Sequence, residues 1–425
     1  MVKQCCRLEG PVLVLESGDE RKEYDLTRFS RVVVLGAGKA TAKMALAAEE
    51  IFTDRISDGI IAIKQGHGEK LEIIRSIEAG HPVPDEGSVK AADEILSCAE
   101  RGDESTLFVT LISGGGSALL CSPADGLTLE DKQKVTELLL AGGATIGEMN
   151  CVRKHLSRIK GGRLAEAMYP ATSLNLILSD VVGDRLDIIA SGITAADPTT
   201  YNHARTYLKR YGLLGRIPEK AAEIIERGCS GGPAETPKPG DQCFTRVQNS
   251  LIGTNLAAVR ACENAALEIG LNTHVLSTQI TGEAKEIAKV FYGIARDIRE
   301  RGLPVSPPAC VLAGGETTVT LKNDGKGGRN QEMALSFLAE AMAAGDKLSG
   351  VCFLSGATDG NDGPTDAAGG FACAEAAAAA LEQGLDPNEY LSRNDSYHFF
   401  DRIEHLLKTG PTNTNVCDIQ ILLVE

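Results

Sequence analysis

Short apolar runs recur along the chain, and each gives way to a glycine-rich or polar turn. The first is Arg31-Val32-Val33-Val34-Leu35. An unbroken β-branched run of this length predicts a strand buried on both faces, as in a parallel sheet. It leads into Gly36-Ala37-Gly38-Lys39-Ala40 and then an alanine-rich stretch that predicts a helix to about residue 50. Further strands are predicted at 59–63, 75–79, 106–112 and 174–178, with a helix over 88–99. Thr128 and Asp131 are spaced as an N-cap and its N3 partner and announce a long helical stretch. Strands that alternate with helices, with glycines at the strands' carboxyl ends, predict an α/β protein with a doubly wound parallel sheet.

The pattern breaks at Gly228–Gln242, where three prolines and four glycines fall within fifteen residues. Such composition marks a loop or linker. It divides the chain into two α/β domains, 1–240 and 241–425. Beyond it, strands are predicted at 272–277, 309–313, 317–322, 351–355 and 418–424. No repeat period is present.

Composition narrows the partners. Lys and Arg number 43 against 58 Asp and Glu, a net charge of −15. A chain this acidic has no general attraction to nucleic acid or to an anionic membrane, so an anionic ligand requires a local cationic site. Aromatic residues are only 4%, with no Trp, so the core must be largely aliphatic. The twelve cysteines contain no C-x-x-C pair and read as free thiols in a reducing cytoplasm. The N-terminus does not resemble a signal peptide, and no apolar run reaches the ~18 residues of a membrane span. The expected setting is cytoplasmic. Oligomeric state stays open, a homodimer included.

Candidate chemistry gathers in the loops. Gly36, Gly38 and Lys39 form a backbone nest with a lysine at a helix start, suited to phosphate or carboxylate. The alternative is a tight turn with Lys39 in solvent. The loop is a poor dinucleotide fingerprint, because Thr41 replaces the third glycine and the next strand ends near Lys64, not at a carboxylate. Ser113-Gly114-Gly115-Gly116-Ser117 follows a buried strand and lets a ligand approach the backbone. Residues 151–163 concentrate Arg153, Lys154, His155, Arg158, Lys160 and Arg163, reversing the sign of the chain locally; Lys154 and Arg158 would share a helix face. Either an anion site or a solvated face fits. Asp180 and Asp184 sit at a strand end, while Asp359, Asp362 and Asp366 crowd a glycine-rich loop. These aspartates suit Mg²⁺ or Asx turns. Glu316 ends a strand, and Arg329 opens a helix from a glycine-rich loop where an anion could be reached.

In this order, the motifs resemble the class II glycerate kinases, whose C-terminal part is the MOFRL domain. The stretches that carry the likeness are VVVLGAGKATAKMA, GHPVPDEGS, LISGGGSALL, RKHLSRIKGGRLA, LSDVVGDRLDIIASGITAADPT, GGETTVTLKNDGKGGRNQE, SGATDGNDGPTDAAGG and LLKTGPTNTNV. Members of that family usually carry a helical segment before the first strand, where this chain has about thirty residues. The resemblance implies an N-terminal Rossmann-like domain, a C-terminal MOFRL-type α/β domain and an active site in the cleft between them. It implies ATP-dependent phosphorylation of D-glycerate at the 2-hydroxyl, with Mg²⁺ or another divalent metal. Lys39 and Arg329 are then the expected cationic pair. Asp180 or Asp359 would orient or deprotonate the hydroxyl, and Asp180, Asp184, Asp359 and Asp362 are the candidate metal ligands. Gly36, Gly38, Ser113 to Ser117, Arg153, Lys160 and Glu316 are expected at the substrates. Two rivals remain: an NAD(P)-dependent hydroxypyruvate reductase, and a non-catalytic binding protein of two α/β lobes.

Overall fold

The computed structural model describes residues 1–18 and 20–425. They form two compact units. One comprises Met1–Ser179 with Asp184–Ile252; the other comprises Gly253–Glu425 with the short segment Asp180–Gly183.

The first unit opens with an antiparallel meander, β1 (Cys6–Glu9), β2 (Val12–Ser17) and β3 (Glu20–Asp25). Little in the hydropathy pattern announces it, because only Leu13, Val14 and Leu15 are continuously buried and most of the remaining positions are charged. Arg7 and Arg21 bridge to Glu16 on its exposed side. The main sheet contains β4 (Arg31–Ala37), β5 (Ile56–Lys64), β6 (Arg75–Ala79), β7 (Thr106–Ile112), β8 (Thr172–Leu178) and β9 (Val247–Gly253), in the order β6-β5-β4-β7-β8-β9. Every pair from β6 to β8 is parallel. Val33, Val34 and Leu35 are fully buried, each contributing roughly 1.5–3 kcal/mol of hydrophobic stabilisation. Asp85 and Thr128 close capping boxes on the helices Glu86–Ala99 and Leu129–Ala141.

After β4 the chain builds β5 and β6 on one side, then returns to place β7 on the other. The order therefore reverses between β4 and β7, whose carboxyl ends form the topological switch point where open α/β sheets bind ligands. Strand β9 follows the Gly228–Gln242 loop yet joins this sheet, so the first unit extends past the loop at which the sequence suggested a boundary.

The second unit holds a mixed sheet of β10 (Asn272–Ile280), β11 (Ala309–Gly315), β12 (Val351–Ala357), β13 (Gly369–Cys373), β14 (Leu406–Leu407) and β15 (Asp418–Val424). The order is β10-β11-β15-β12-β13-β14, and only β10 and β11 run parallel. Helices Ala284–Arg301 and Arg329–Ala343 contribute to a core with Phe291, Phe337 and Phe353, the last two rings stacked at 4.6 Å. The stretch 317–322, predicted as a strand, forms only one bridge, Thr318 to Glu283. Thr318 N–H donates to Gly282 O within that bridge, while the Thr320 and Lys322 amides go to the Glu283 and Asn394 side chains. Among the described residues, no helix is long and apolar enough to cross a membrane.

Candidate active site

Two loops interlock at the switch point. Lys39 N–H donates to Gly114 O at 2.8 Å, Ser113 N–H to Ala37 O at 3.1 Å, and Ala40 N–H to Ser113 Oγ at 3.1 Å. Thr41, which spoils the dinucleotide fingerprint, has its hydroxyl 3.2 Å from the same Ser113 Oγ. Gly38 has φ +147°, and a Cβ there would lie 2.0 Å from Ser113 Oγ. Only glycine lets the loops close. A Cβ on Gly115 would meet the His81 ring at 3.0 Å and Lys39 Cγ at 3.3 Å, so these side chains flank the Gly115 backbone. Burial, then the charges of Lys39, Lys64 and His67, push the His81 imidazole down to about 4. Lys64 is the last residue of β5, where a dinucleotide fold would carry a ribose-binding carboxylate. The carboxyl ends of β4 and β5 therefore present cations.

More positive charge lies behind the Ser113–Ser117 loop. Lys160 is 1% exposed. Its Nζ donates to Ser117 O at 2.6 Å, Leu120 O at 2.9 Å and Ser117 Oγ at 3.2 Å. Arg153 Nη2 donates to the same Ser117 Oγ at 2.7 Å. The buried Lys132 donates to Leu156 O at 3.0 Å. Burial, then the charges of Arg153 and Lys132, push Lys160 well below its usual range; burial brings Lys132 to about 8. Ser117 Oγ also lies 2.6 Å from Ser191 Oγ, which donates to Asn150 Oδ1 at 3.1 Å. Among the described residues no carboxylate pairs with Lys132, Arg153 or Lys160. Burying uncompensated charge costs several kcal/mol per ion, a cost expected where a ligand supplies the counter-charge.

The cation-rich stretch differs from what its spacing suggested. Its helix, Ile146–His155, ends before Arg158, so Lys154 and Arg158 share no face. The chain turns because Ser157 bridges to Pro123 and its Oγ accepts the Ile159 and Lys160 amides. Lys154 is buried against Asp197 at 3.2 Å and Asp187 at 3.6 Å, while Arg158 lies exposed beside Asp93.

In the second unit, Arg329 is already engaged. Its Nε and Nη2 fork onto Asp418 at 2.6 and 3.0 Å, and Nη1 reaches Glu316 at 2.8 Å. Burial opposes the guanidinium charge, but the two carboxylates outweigh it and raise its pKa. Burial likewise raises Asp418 and Glu316 despite Arg329. The charge of Asp180 acts on Glu316, and that of Asp359 on Asp418. One guanidinium is thus held by Asp418 and Glu316, with the charge of Asp362 also acting on it.

The helix start at Arg329 is not open to an anion, as the glycine-rich sequence suggested. Asp362 fills it. This buried carboxylate accepts the Asn330 and Gln331 amides at 3.1 and 2.8 Å and their side-chain amides at 3.2 and 3.1 Å. A Cβ on Gly328 would lie 2.3 Å from Asp362 Cγ, which is why glycine precedes the helix. Burial pushes Asp362 up to about 6 against these donors. It is a helix anchor and is not placed as a metal ligand. Asp184 belongs to the first unit and Asp180 to the second. Asp359 Oδ1 accepts the Asn361 amide at 2.9 Å, an Asx turn. Asp366 instead accepts from Tyr397 Oη at 2.6 Å. Among the described residues, no group of three or more His, Cys, Asp or Glu side chains is disposed to hold a metal ion.

His81, Lys132, Asn150, Ser191 and Asp418 were not singled out in the sequence. His81 lay within the GHPVPDEGS stretch. Ser191 lay within the LSDVVGDRLDIIASGITAADPT stretch, and Lys132, Asn150 and Asp418 join their clusters through contacts that the local sequence does not announce.

Residues 1–226 match a family described as a domain of unknown function (DUF4147), and residues 309–418 match the MOFRL family. The chain is 43% identical over 406 residues to the glycerate 2-kinase of Pyrococcus horikoshii, covering 95% of this chain and 89% of that one. It is 40% identical over 397 residues to the D-glycerate 2-kinase of Thermotoga maritima, covering 93% and 91%. The chain belongs to the glycerate kinase family with a MOFRL domain. Another relative of this glycerate kinase family chain, from Agrobacterium vitis and provisionally named a hydroxypyruvate reductase, is 45% identical over 396 residues, covering 93% and 87%. A crystal structure of Thermotoga maritima glycerate kinase matches with TM-score 0.85 at 40% identity, over 93% of this chain and 92% of that one. A Pyrococcus horikoshii OT3 crystal structure matches with TM-score 0.86 at 40% identity, over 100% and 93%.

Proposed function

We propose that this chain is a glycerate 2-kinase that transfers the γ-phosphoryl group of ATP to the 2-hydroxyl of D-glycerate, giving 2-phosphoglycerate and ADP. The observation that carries the reading is the uncompensated group of Lys132, Arg153 and Lys160 behind the Ser113–Ser117 loop, in a chain of net charge −15. Both substrates are anions, and such a group supports an anion at that loop.

Phosphoryl transfer asks a protein mainly to position reactants and neutralise charge. Lys39 and the glycine backbones of both loops take the anionic group of a substrate. Arg153 and Lys160 hold Ser117 and so fix the loop's shape. In the second unit, Asp418 and Glu316 lock Arg329 in one orientation. Asp180 and Asp359 are assigned to orient the hydroxyl and accept its proton, or to hold a divalent cation. One or two carboxylates suffice for Mg²⁺ when phosphates and water complete its shell. When bound, the ion supplies charge neutralisation on the phosphates. On this reading the enzyme works in the cytoplasm on small molecules.

The Agrobacterium vitis relative's name favours the reductase as second reading. Thr41 and Lys64 oppose it. Initial rates separate the two: the kinase reading requires ADP release that depends on D-glycerate. NAD(P)H oxidation with hydroxypyruvate, without that ADP release, overturns it.

A further inference from the structure

Two cysteines face each other across the second unit's sheet. Cys352 on β12 is the Cα partner of Cys373 on β13. One pair beyond the end of this ladder, Ala357 N–H donates to Ala368 O at 2.8 Å, which marks a hydrogen-bonded position. Antiparallel ladders alternate hydrogen-bonded and non-hydrogen-bonded pairs. Counting back through Gly356↔Gly369, Ser355↔Gly370, Leu354↔Phe371 and Phe353↔Ala372 puts the cysteines at a non-hydrogen-bonded pair. Phe371 N–H turns away to His405 O at 3.0 Å, as this alternation requires. At such positions the Cα atoms are about 4.5 Å apart and the side chains closest, inside the ~4.4–6.8 Å that a disulfide spans.

The pair is also reachable. Phe353 and Ala372, the adjacent ladder partners, are fully buried on the opposite sheet face. Cys352 and Cys373 are only half-buried, unlike Cys310 and Cys417. The two thiols differ in character. Cys373 caps the N-terminus of helix Ala374–Glu382, where the helix amides favour a thiolate. The hydrogen bond from Cys352 brings Cys373 down to about 6, helped by the Ala376 amide and His405. Cys352, donating that bond and partly buried, is raised. One sulfur is poised to attack and the other holds its proton beside it.

We infer that Cys352 and Cys373 form a reversible dithiol–disulfide couple that responds to low-molecular-weight disulfides such as oxidised glutathione. The Cys373 thiolate attacks one sulfur of the small disulfide and releases one thiolate, which takes a proton. Cys352 then gives up its proton and attacks the Cys373 sulfur of the mixed disulfide, releasing the second small thiol. Two protein thiols are oxidised to one disulfide, and one small disulfide is reduced to two thiols. The bond closes a loop that contains Asp359 and Asp362, so oxidation ties down the segment bearing them.

The test incubates the native full-length protein across ratios of oxidised to reduced glutathione, blocks remaining thiols and maps peptides by mass spectrometry. The expected product is a peptide pair joined through Cys352 and Cys373. Two of the twelve thiols should be lost, and dithiothreitol should restore them. In Cys352→Ser, Cys373 should instead stop as a mixed disulfide with one glutathione. Retention of all twelve thiols at the most oxidising ratio overturns the inference. So does a bridge between other cysteines, or a stable glutathione adduct at Cys373 in the unaltered protein. These deciding outcomes all come from the unaltered chain, so they hold even if Cys352→Ser fails to fold.

Discussion

Arg329 and Asp418 form a two-pronged ion pair, Nε to Oδ2 at 2.6 Å and Nη2 to Oδ1 at 3.0 Å, in which the carboxylate is buried and the guanidinium partly so. The pair joins the start of the helix Arg329–Ala343 to the start of β15. Breaking a buried pair on one side leaves an uncompensated charge, which typically costs about 3–5 kcal/mol. Asp418→Asn should therefore lower stability by ~3 kcal/mol in urea unfolding. Arg329→Lys should recover little, because an ammonium cannot reproduce the planar fork. Full stability in Arg329→Lys would mean that the fork geometry does not matter.

Lys160 behaves oppositely if its charge awaits a ligand. Lys160→Met removes a buried ammonium that has no carboxylate partner, but leaves the Ser117 and Leu120 carbonyls without their donor, so stability should fall by about 1–2 kcal/mol. Activity should fall much further, by ~10²-fold in kcat/KM, or about 2.7 kcal/mol. Thermal melts and initial rates check both halves. A large stability loss with unchanged kinetics would make Lys160 a loop staple only.

His81 gives a pH signature. Its folded midpoint is pushed down to about 4, against about 6.5 in the unfolded chain. The unfolded state therefore binds the extra proton first as pH falls, and stability present above about 6.5 is lost progressively toward pH 4. Urea unfolding across this window should show that slope, and His81→Asn should flatten it. Histidine NMR should show one midpoint near 4, moving upward when an anionic substrate binds beside Lys39.

Asp359 and Asp362, two of the three aspartates of the 358–366 loop, should separate cleanly. Asp362→Asn keeps one oxygen but replaces the other, an acceptor of two N–H groups, by an amide NH2 that cannot accept, and should cost about 1–3 kcal/mol of stability, without moving the Mg²⁺ concentration for half-maximal rate. Asp359→Asn should raise that concentration or collapse kcat, with little change in stability. Mg²⁺ titrations of initial rates beside melting curves test this. The reverse pattern would assign the metal role to Asp362.

Much of the first sheet was legible, because β4 and β7 carry long apolar runs that lead into glycine-rich turns, and β8 carries Leu176-Ile177-Leu178 before Ser179-Asp180. The loops Gly36–Lys39 and Ser113–Ser117 were readable as glycine-dependent turns at strand ends, and they interlock at Gly38. The meander β1–β3 escaped because its exposed positions are charged and its buried row is short. The roles of Lys160 and Asp418 are tertiary facts. Lys160 resembled any basic loop residue until the fold brought Ser117 and Leu120 to its ammonium. Asp418 opened an apolar strand with no motif around it. The reading of Arg329 as an open cation failed because its carboxylate partners lie 13 and 89 residues away in sequence.

Phosphorus NMR of the product tests the kinase account most directly. The purified chain, incubated with ATP, Mg²⁺ and D-glycerate, should yield ADP and one new phosphomonoester resonance. That resonance should be split by the single C2 proton into a doublet, as in 2-phosphoglycerate. A triplet from two C3 protons would contradict transfer to the 2-hydroxyl. Absence of any glycerate-dependent phosphomonoester, with hydroxypyruvate consumed at the expense of NAD(P)H, would contradict the account altogether.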